Sequence, residues 1–114
     1  MILKEYFKNW ELECRCGCGL LPDKRSIEKL YALRLIINEK IIITSGARCE
    51  NYNAAVGGVN NSTHLIGAFD VEVDKPYRYD LIKAAQSVGF TGIGLDGKFI
   101  HIDDKHDTPV VWFY

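Results

Sequence analysis

Ile93-Gly94-Leu95-Asp96-Gly97-Lys98-Phe99-Ile100-His101-Ile102-Asp103 is the stretch that decides the fold. Asp-Gly between apolar residues is a strong two-residue hairpin signal, because the favoured turn needs positive φ at both central positions. It joins a strand at 93–95 to a strand at 98–103. Side chains alternate along a strand, so Phe99, His101 and Asp103 share one face and Ile100 and Ile102 the other. With the two isoleucines facing a core, His101 and Asp103 face a cleft.

Working outward, residues 69–73 alternate in the same way. Asp70 and Glu72 lie on one face, with Phe69, Val71 and Val73 on the other. Antiparallel pairing of this strand with 98–103 brings Asp70 opposite His101. A polar loop at 59–63 delivers His64. Residues 41–45 are β-branched and apolar, which reads as a buried strand. Pro22-Asp23 starts a helix through 24–38, with Ile27, Leu30, Tyr31, Ile36 and Ile37 as its apolar stripe. A short helix at 50–56 ends at Gly57-Gly58. Another spans 79–88, with Leu81, Ile82 and Ala85 inward and Gly89 as its stop. Downstream, the charged run 103–107 is a turn, and 109–114 is a last apolar strand. The pattern αβαβαββ with short connections gives an α+β fold with a mainly antiparallel sheet. One domain spans 1–114, opening on a Cys-containing segment at 1–19.

The chain has 114 residues, enough for one modest core. Its net charge of -1 gives no basic excess for phosphates, which excludes nucleic acid as an expected partner. No apolar run approaches the ~20 residues that span a bilayer. Met1-Ile2-Leu3-Lys4-Glu5 lacks a basic stretch followed by an apolar one. The expectation is a monomer made in the cytoplasm, without a signal peptide and without membrane insertion.

His64, Asp70 and His101 carry the chemistry. Two imidazoles and a carboxylate with an open fourth position are a catalytic zinc set. Bound zinc acidifies water to a pKa of ~7 and polarises a carbonyl oxygen. A nearby carboxylate, Asp103 or Asp96, would accept the proton. Arg48 follows the 41–45 strand, and its fork matches a substrate carboxylate. The implied class is metal-assisted hydrolysis of an amide next to a carboxylate. The bland readings are a structural histidine, a capping Asp70 and a surface-paired Arg48. His106 is expected to be solvated, and Trp10, Trp112 and Tyr114 to be core or cleft-wall aromatics.

Cys14, Cys16, Cys18 and Cys49 leave three readings open. They are four thiolates for a second, structural zinc, a disulfide from Cys49 to one of the cluster, or free thiols. A cysteine-centred zinc or redox module is the corresponding functional reading.

Ser45-Gly46-Ala47-Arg48, Asn53-Ala54-Ala55-Val56-Gly57-Gly58, Ser62-Thr63-His64-Leu65-Ile66-Gly67-Ala68-Phe69-Asp70, Gly92-Ile93-Gly94 and Phe99-Ile100-His101-Ile102-Asp103 follow in order. This series resembles the M15 zinc peptidases of D-Ala-D-Ala carboxypeptidase type, especially the short phage members, with the hedgehog domain as a distant relative in fold. The resemblance implies zinc on His64, Asp70 and His101, with Arg48 and Ser62 on the substrate side. It implies a peptidoglycan stem peptide as substrate and a phage lysis role at the bacterial wall. A catalytically inactive wall-binding module on the same fold is the alternative. Two departures stand out. The family separates His and Asp by seven positions, whereas His64 and Asp70 are six apart, so one residue is missing from the turn. A slip of one residue reverses a strand's faces, so the turn must absorb the loss. Glu72 is the fallback ligand. Several relatives also carry an acid three positions before the last histidine, where this chain has Lys98. That makes Asp103 the first candidate for base or for an orienting group, and Asp96 the second.

Overall fold

The computed structural model describes residues 6–73 and 75–114. Met1-Ile2-Leu3-Lys4-Glu5, read above for a leader, lies outside them. A short helix α1 (Asn9–Leu12) precedes α2 (Lys24–Ile37), β1 (Ile43–Ser45) and α3 (Glu50–Ala55). A 3-10 helix (Thr63–Leu65) leads into β2 (Ala68–Glu72), α4 (Lys75–Val88), β3 (Gly92–Leu95), β4 (Phe99–Asp103) and β5 (Val110–Phe113). The strands form one sheet in the order β1-β2-β4-β3-β5. Every neighbour pair is antiparallel except β3 with β5, which runs parallel. The α+β architecture with a mainly antiparallel sheet is the one read from the sequence.

The two faces of the sheet divide as the alternation requires. Phe69, Val71, Ile93, Ile100 and Ile102 are buried in the core with Leu30, Leu33, Leu81 and Ala85 of α2 and α4. Leu33 takes a place expected for Ile36, which is 55% exposed on the far side of α2. A left-handed Asn38, φ 55, ends that helix by donating its N–H to the Arg34 carbonyl. Gly89 ends α4 at φ 103. Helix α4 starts four residues earlier than the expected 79; proline is tolerated in a first turn, where its missing N–H has no partner to lose.

The opposite face carries the polar residues. In the β2–β4 ladder Asp70 pairs with His101 and Ala68 with Asp103. In the β3–β4 hairpin Gly94 pairs with His101 and Gly92 with Asp103. These two glycines clear room on that face. A Cβ on Gly94 would lie 2.7 Å from the Trp112 indole, and one on Gly92 would lie 2.4 Å from His106. At the other edge β1 is shorter than 41–45, and its pairing with β2 shifts register between Ile43 and Ser45. Thr44 in that irregularity donates its hydroxyl to the Asp70 carbonyl at 3.2 Å. Such bulges re-aim a strand beside a site.

A polar cluster ties the end of β4 to the start of α2. Asp104 accepts from Ser26 at 2.9 Å and from Lys29 at 2.7 Å, and it pairs with Lys105. Lys105 also reaches Asp23 at 2.9 Å. The turn read at 103–107 is therefore fixed to the helix rather than left to solvent.

Candidate metal centre

His64 sits in the middle of the 3-10 helix and is 1% exposed. Ser62 starts that helix, its hydroxyl oxygen accepting the His64 N–H at 3.2 Å. The tight turn then closes through the Gly67 N–H on the Thr63 carbonyl, 2.8 Å. Gly67 packs where a Cβ would meet the Asp23 carboxylate at 2.1 Å. One three-residue-per-turn helix and one close-packed glycine thus span the six positions between His64 and Asp70. The shortened turn leaves Asp70 facing both histidines.

Asp70 Oδ1 lies 3.1 Å from His64 Nε2 and 3.2 Å from His101 Nδ1. One donor atom from each of the three lies within 4.8 Å of the others. Zinc bonds of about 2.0 Å in a tetrahedron imply ligand-to-ligand edges of about 3.3 Å. The set therefore fits a tetrahedral ion of that size. The outer ring nitrogens are already engaged. His64 Nδ1 is 2.6 Å from the Gly46 carbonyl, which only accepts, so that nitrogen carries the proton. His101 Nε2 is 2.7 Å from Asp103 Oδ2. In the neutral rings the inner nitrogens are then lone pairs, aimed at a carboxylate that also only accepts. Three acceptors converging on one point require a cation between them, either a metal or a proton.

The titration of the metal-free site follows from this. Burial pushes the Asp70 carboxyl up, but the hydrogen bonds and charge of His101 and His64 outweigh it and hold it well below the usual carboxylate range. Burial pulls His101 down, yet Asp103 and Asp70 together raise it above its ordinary value. Asp103 is fully buried and is held low, against its desolvation, by His101 and by the Lys105 N–H.

A cavity of about 540 Å³ opens over these residues. Arg48, Ser62, Trp112 and Tyr114 line it. Arg48 Nη2 donates to the Ser62 hydroxyl at 3.3 Å, and its Nε is buried without a hydrogen-bond partner among the described residues. The Arg48 N–H donates to the His64 carbonyl at 2.8 Å, which locks cation and ligand into one local unit.

Several expectations need correction. Asp96 does not line the cavity; its carboxylate caps the hairpin by accepting the Lys98 N–H at 2.9 Å. Glu72 is exposed and borders a separate depression with Glu39 and Lys40. Trp10 is 60% exposed and is not a wall residue. His106 is not simply solvated: it lines the cavity, with its ring 5.7 Å from that of Trp112. Thr63 was passed over in the sequence. Its hydroxyl donates to Asp103 Oδ2 at 3.2 Å and lies equally close to His101 Nε2. The neighbouring glycines at 92 and 94 were the available signal for bulky rings on this face.

A family model described as Peptidase M15 matches residues 5–103. No curated protein matches the chain.

Proposed function

Because this chain belongs to the peptidase M15 family, we propose that it is a zinc-dependent hydrolase of peptidoglycan stem peptides. The observation that carries the reading is the convergence of His64 Nε2 and His101 Nδ1 on one oxygen of Asp70, with both outer nitrogens occupied. His64, Asp70 and His101 would hold the ion. When bound, zinc supplies Lewis acidity, which polarises a scissile carbonyl and makes water a better nucleophile.

The other residues position and orient. The Gly46 carbonyl and the Asp103 carboxylate fix each ring's tautomer and angle, as outer partners of metal-binding histidines do. Asp103 lies against the His101 nitrogen that points away from Asp70, so we assign it to orientation rather than to proton transfer. Thr63 holds Asp103 in that pose. Arg48, whose Nε has no hydrogen-bond partner among the described residues, would take a carboxylate of the stem peptide, with Ser62 accepting from its guanidinium. Trp112 and Tyr114 form an apolar wall for the peptide's side chains and limit water. The reaction acts on the bacterial wall, the setting of phage lysis.

The test measures zinc in the purified chain and follows amine release from stem peptides with and without a chelator. Stoichiometric zinc and chelator-sensitive release are expected. Binding to peptidoglycan without amine release would replace the reading with a wall-binding module. Absence of metal that is unchanged in a His64→Ala/His101→Ala double variant would overturn it.

A further inference from the structure

The function above uses none of the four cysteines, yet the fold collects them. Cys14, Cys16 and Cys18 alternate, and in an extended strand alternate residues are about 6.6 Å apart. Here one Sγ from each of these and from Cys49 lies within 4.8 Å of the others. The chain achieves this by turning. The Gly17 N–H donates to the Cys14 carbonyl at 3.2 Å, and the Cys14 N–H donates to the Leu20 carbonyl at 2.8 Å. Gly17 and Gly19 both adopt φ 86, a conformation side chains disfavour.

The sulfur spacings speak for an ion rather than a bridge. Cys14 and Cys16 Sγ are 3.4 Å apart and Cys16 and Cys49 Sγ 3.7 Å. A disulfide needs about 2.05 Å. Zinc–thiolate bonds of about 2.3 Å in a tetrahedron give sulfur–sulfur edges of about 3.8 Å. Two backbone N–H groups also point at sulfur: that of Cys49 at Cys14 Sγ and that of Tyr52 at Cys49 Sγ, each at 3.4 Å.

We propose that Cys14, Cys16, Cys18 and Cys49 bind a second zinc ion, one that is structural. All four positions are taken by protein sulfur, so no place is left for water or substrate. The ion fastens the segment 14–18 to the loop between β1 and α3. That loop carries the Gly46 carbonyl, which orients His64, and Arg48. It is already pressed onto the N-terminal segment: the Ala47 N–H donates to the Leu12 carbonyl at 2.9 Å. A Cβ on Gly46 would lie 2.2 Å from the Leu12 oxygen, so the two backbones meet without side chains between them.

The test loads the full reduced chain with zinc and, separately, with cobalt as a spectroscopic stand-in. Two zinc ions per chain are expected, together with an intense near-ultraviolet thiolate-to-cobalt charge-transfer band. Cys16 and Cys18 are exposed, so Cys16→Ser and Cys18→Ser leave the core intact. Each should lose one zinc and weaken or abolish the band while keeping the other ion. His64→Ala/His101→Ala should do the reverse, losing one zinc and keeping the band. A cobalt-loaded chain without the band would overturn the proposal. So would a cysteine pair found as a disulfide in the zinc-loaded chain, or zinc content unchanged in both serine variants. An unsubstituted chain that shows the band but holds only one zinc, with that content unchanged in His64→Ala/His101→Ala, would count against the hydrolase reading only.

Discussion

Two regions of this molecule gather metal-type donors to the same closeness by opposite means. The His64–Asp70–His101 group is buried or nearly so, and Asp70 and His101 face each other across a sheet ladder. The cysteine group stands on glycine turns at the surface, with Cys16 and Cys18 exposed. In the first, every histidine nitrogen that faces away from the convergence point has a partner. In the second, two amides steady the sulfurs, and Arg15 beside them donates to the Ile43 carbonyl at 2.9 Å. A site that must keep a coordination position open needs rigid outer support. A site that closes all four positions with thiolates gains its rigidity from the ion.

The largest expected effect separates the two regions. His64→Ala or His101→Ala should lower hydrolysis by more than about a hundredfold, beyond the range usual for outer partners. Metal analysis should show one ion lost from the sheet and the thiolate signal untouched. Concurrent loss of both ions would break the comparison, making the two sites one cooperative unit.

Asp103→Asn comes next. As an orienting group, Asp103 should cost about 10–100-fold in metal affinity or activity when neutralised. A chelator titration reads this directly. A rate loss with metal affinity unchanged would instead make Asp103 the proton acceptor.

Asp104→Asn probes the sheet side without touching a donor. It strips charge-assisted hydrogen bonds from Lys29 and Lys105, and urea unfolding should show a loss of about 2 kcal/mol. Burial pushes the Asp104 carboxyl up, but Lys105, Lys29 and Ser26 hold it well below its usual range. Its contribution is therefore full above the unfolded pKa of about 3.9 and fades as pH falls below that. Lys105 is raised, against its own desolvation, by Asp104 and Asp23, so its share is full below about pH 10.4 and fades above it. The variant should flatten both limbs of the stability profile and leave both metal counts alone.

Arg48→Lys is the mildest test and lies between the two regions, one residue before Cys49. Lysine keeps the charge and loses the two-point fork. The expected result is KM raised about tenfold with kcat nearly unchanged, the signature of lost uniform binding. Steady-state kinetics on a stem peptide decides it.

The sheet region was legible because strand periodicity carries spatial information. Period two put His101 and Asp103 on one face, and antiparallel pairing put Asp70 opposite His101, as the ladder does. The β3–β4 hairpin was legible from Asp96-Gly97, but its turn was not: Leu95 pairs with Ile100 and the Asp96 N–H donates to the Phe99 carbonyl, so the tip is Gly97-Lys98, and neither Asp96 nor Gly97 has the positive φ expected. The parallel docking of β5 against β3 was not, since nothing local in residues 109–114 specifies a partner so far back in the chain. That pairing brings Trp112 onto His101, with ring centres 5.1 Å apart, and it places the wall of the cavity. Asp96 was misjudged because a hairpin tip points along the strands, away from the face they share. For the cysteines, composition and spacing flagged the residues, and only the glycine turns decide that their sulfurs meet.

The span of the β2–β4 ladder has a consequence in mass action. Asp70 and His101 are 31 positions apart, with all of α4 between them, so no local fragment holds the donors together. A metal at that site recognises the native chain, and at a hundredfold excess over its Kd it stabilises folding by about 2.7 kcal/mol. Three of the four cysteines lie within five consecutive residues, close enough for the unfolded chain to chelate as well. Binding to both states cancels part of the gain. The ion on the sheet would therefore weight the folding equilibrium by its full affinity, and the ion on the turns by less.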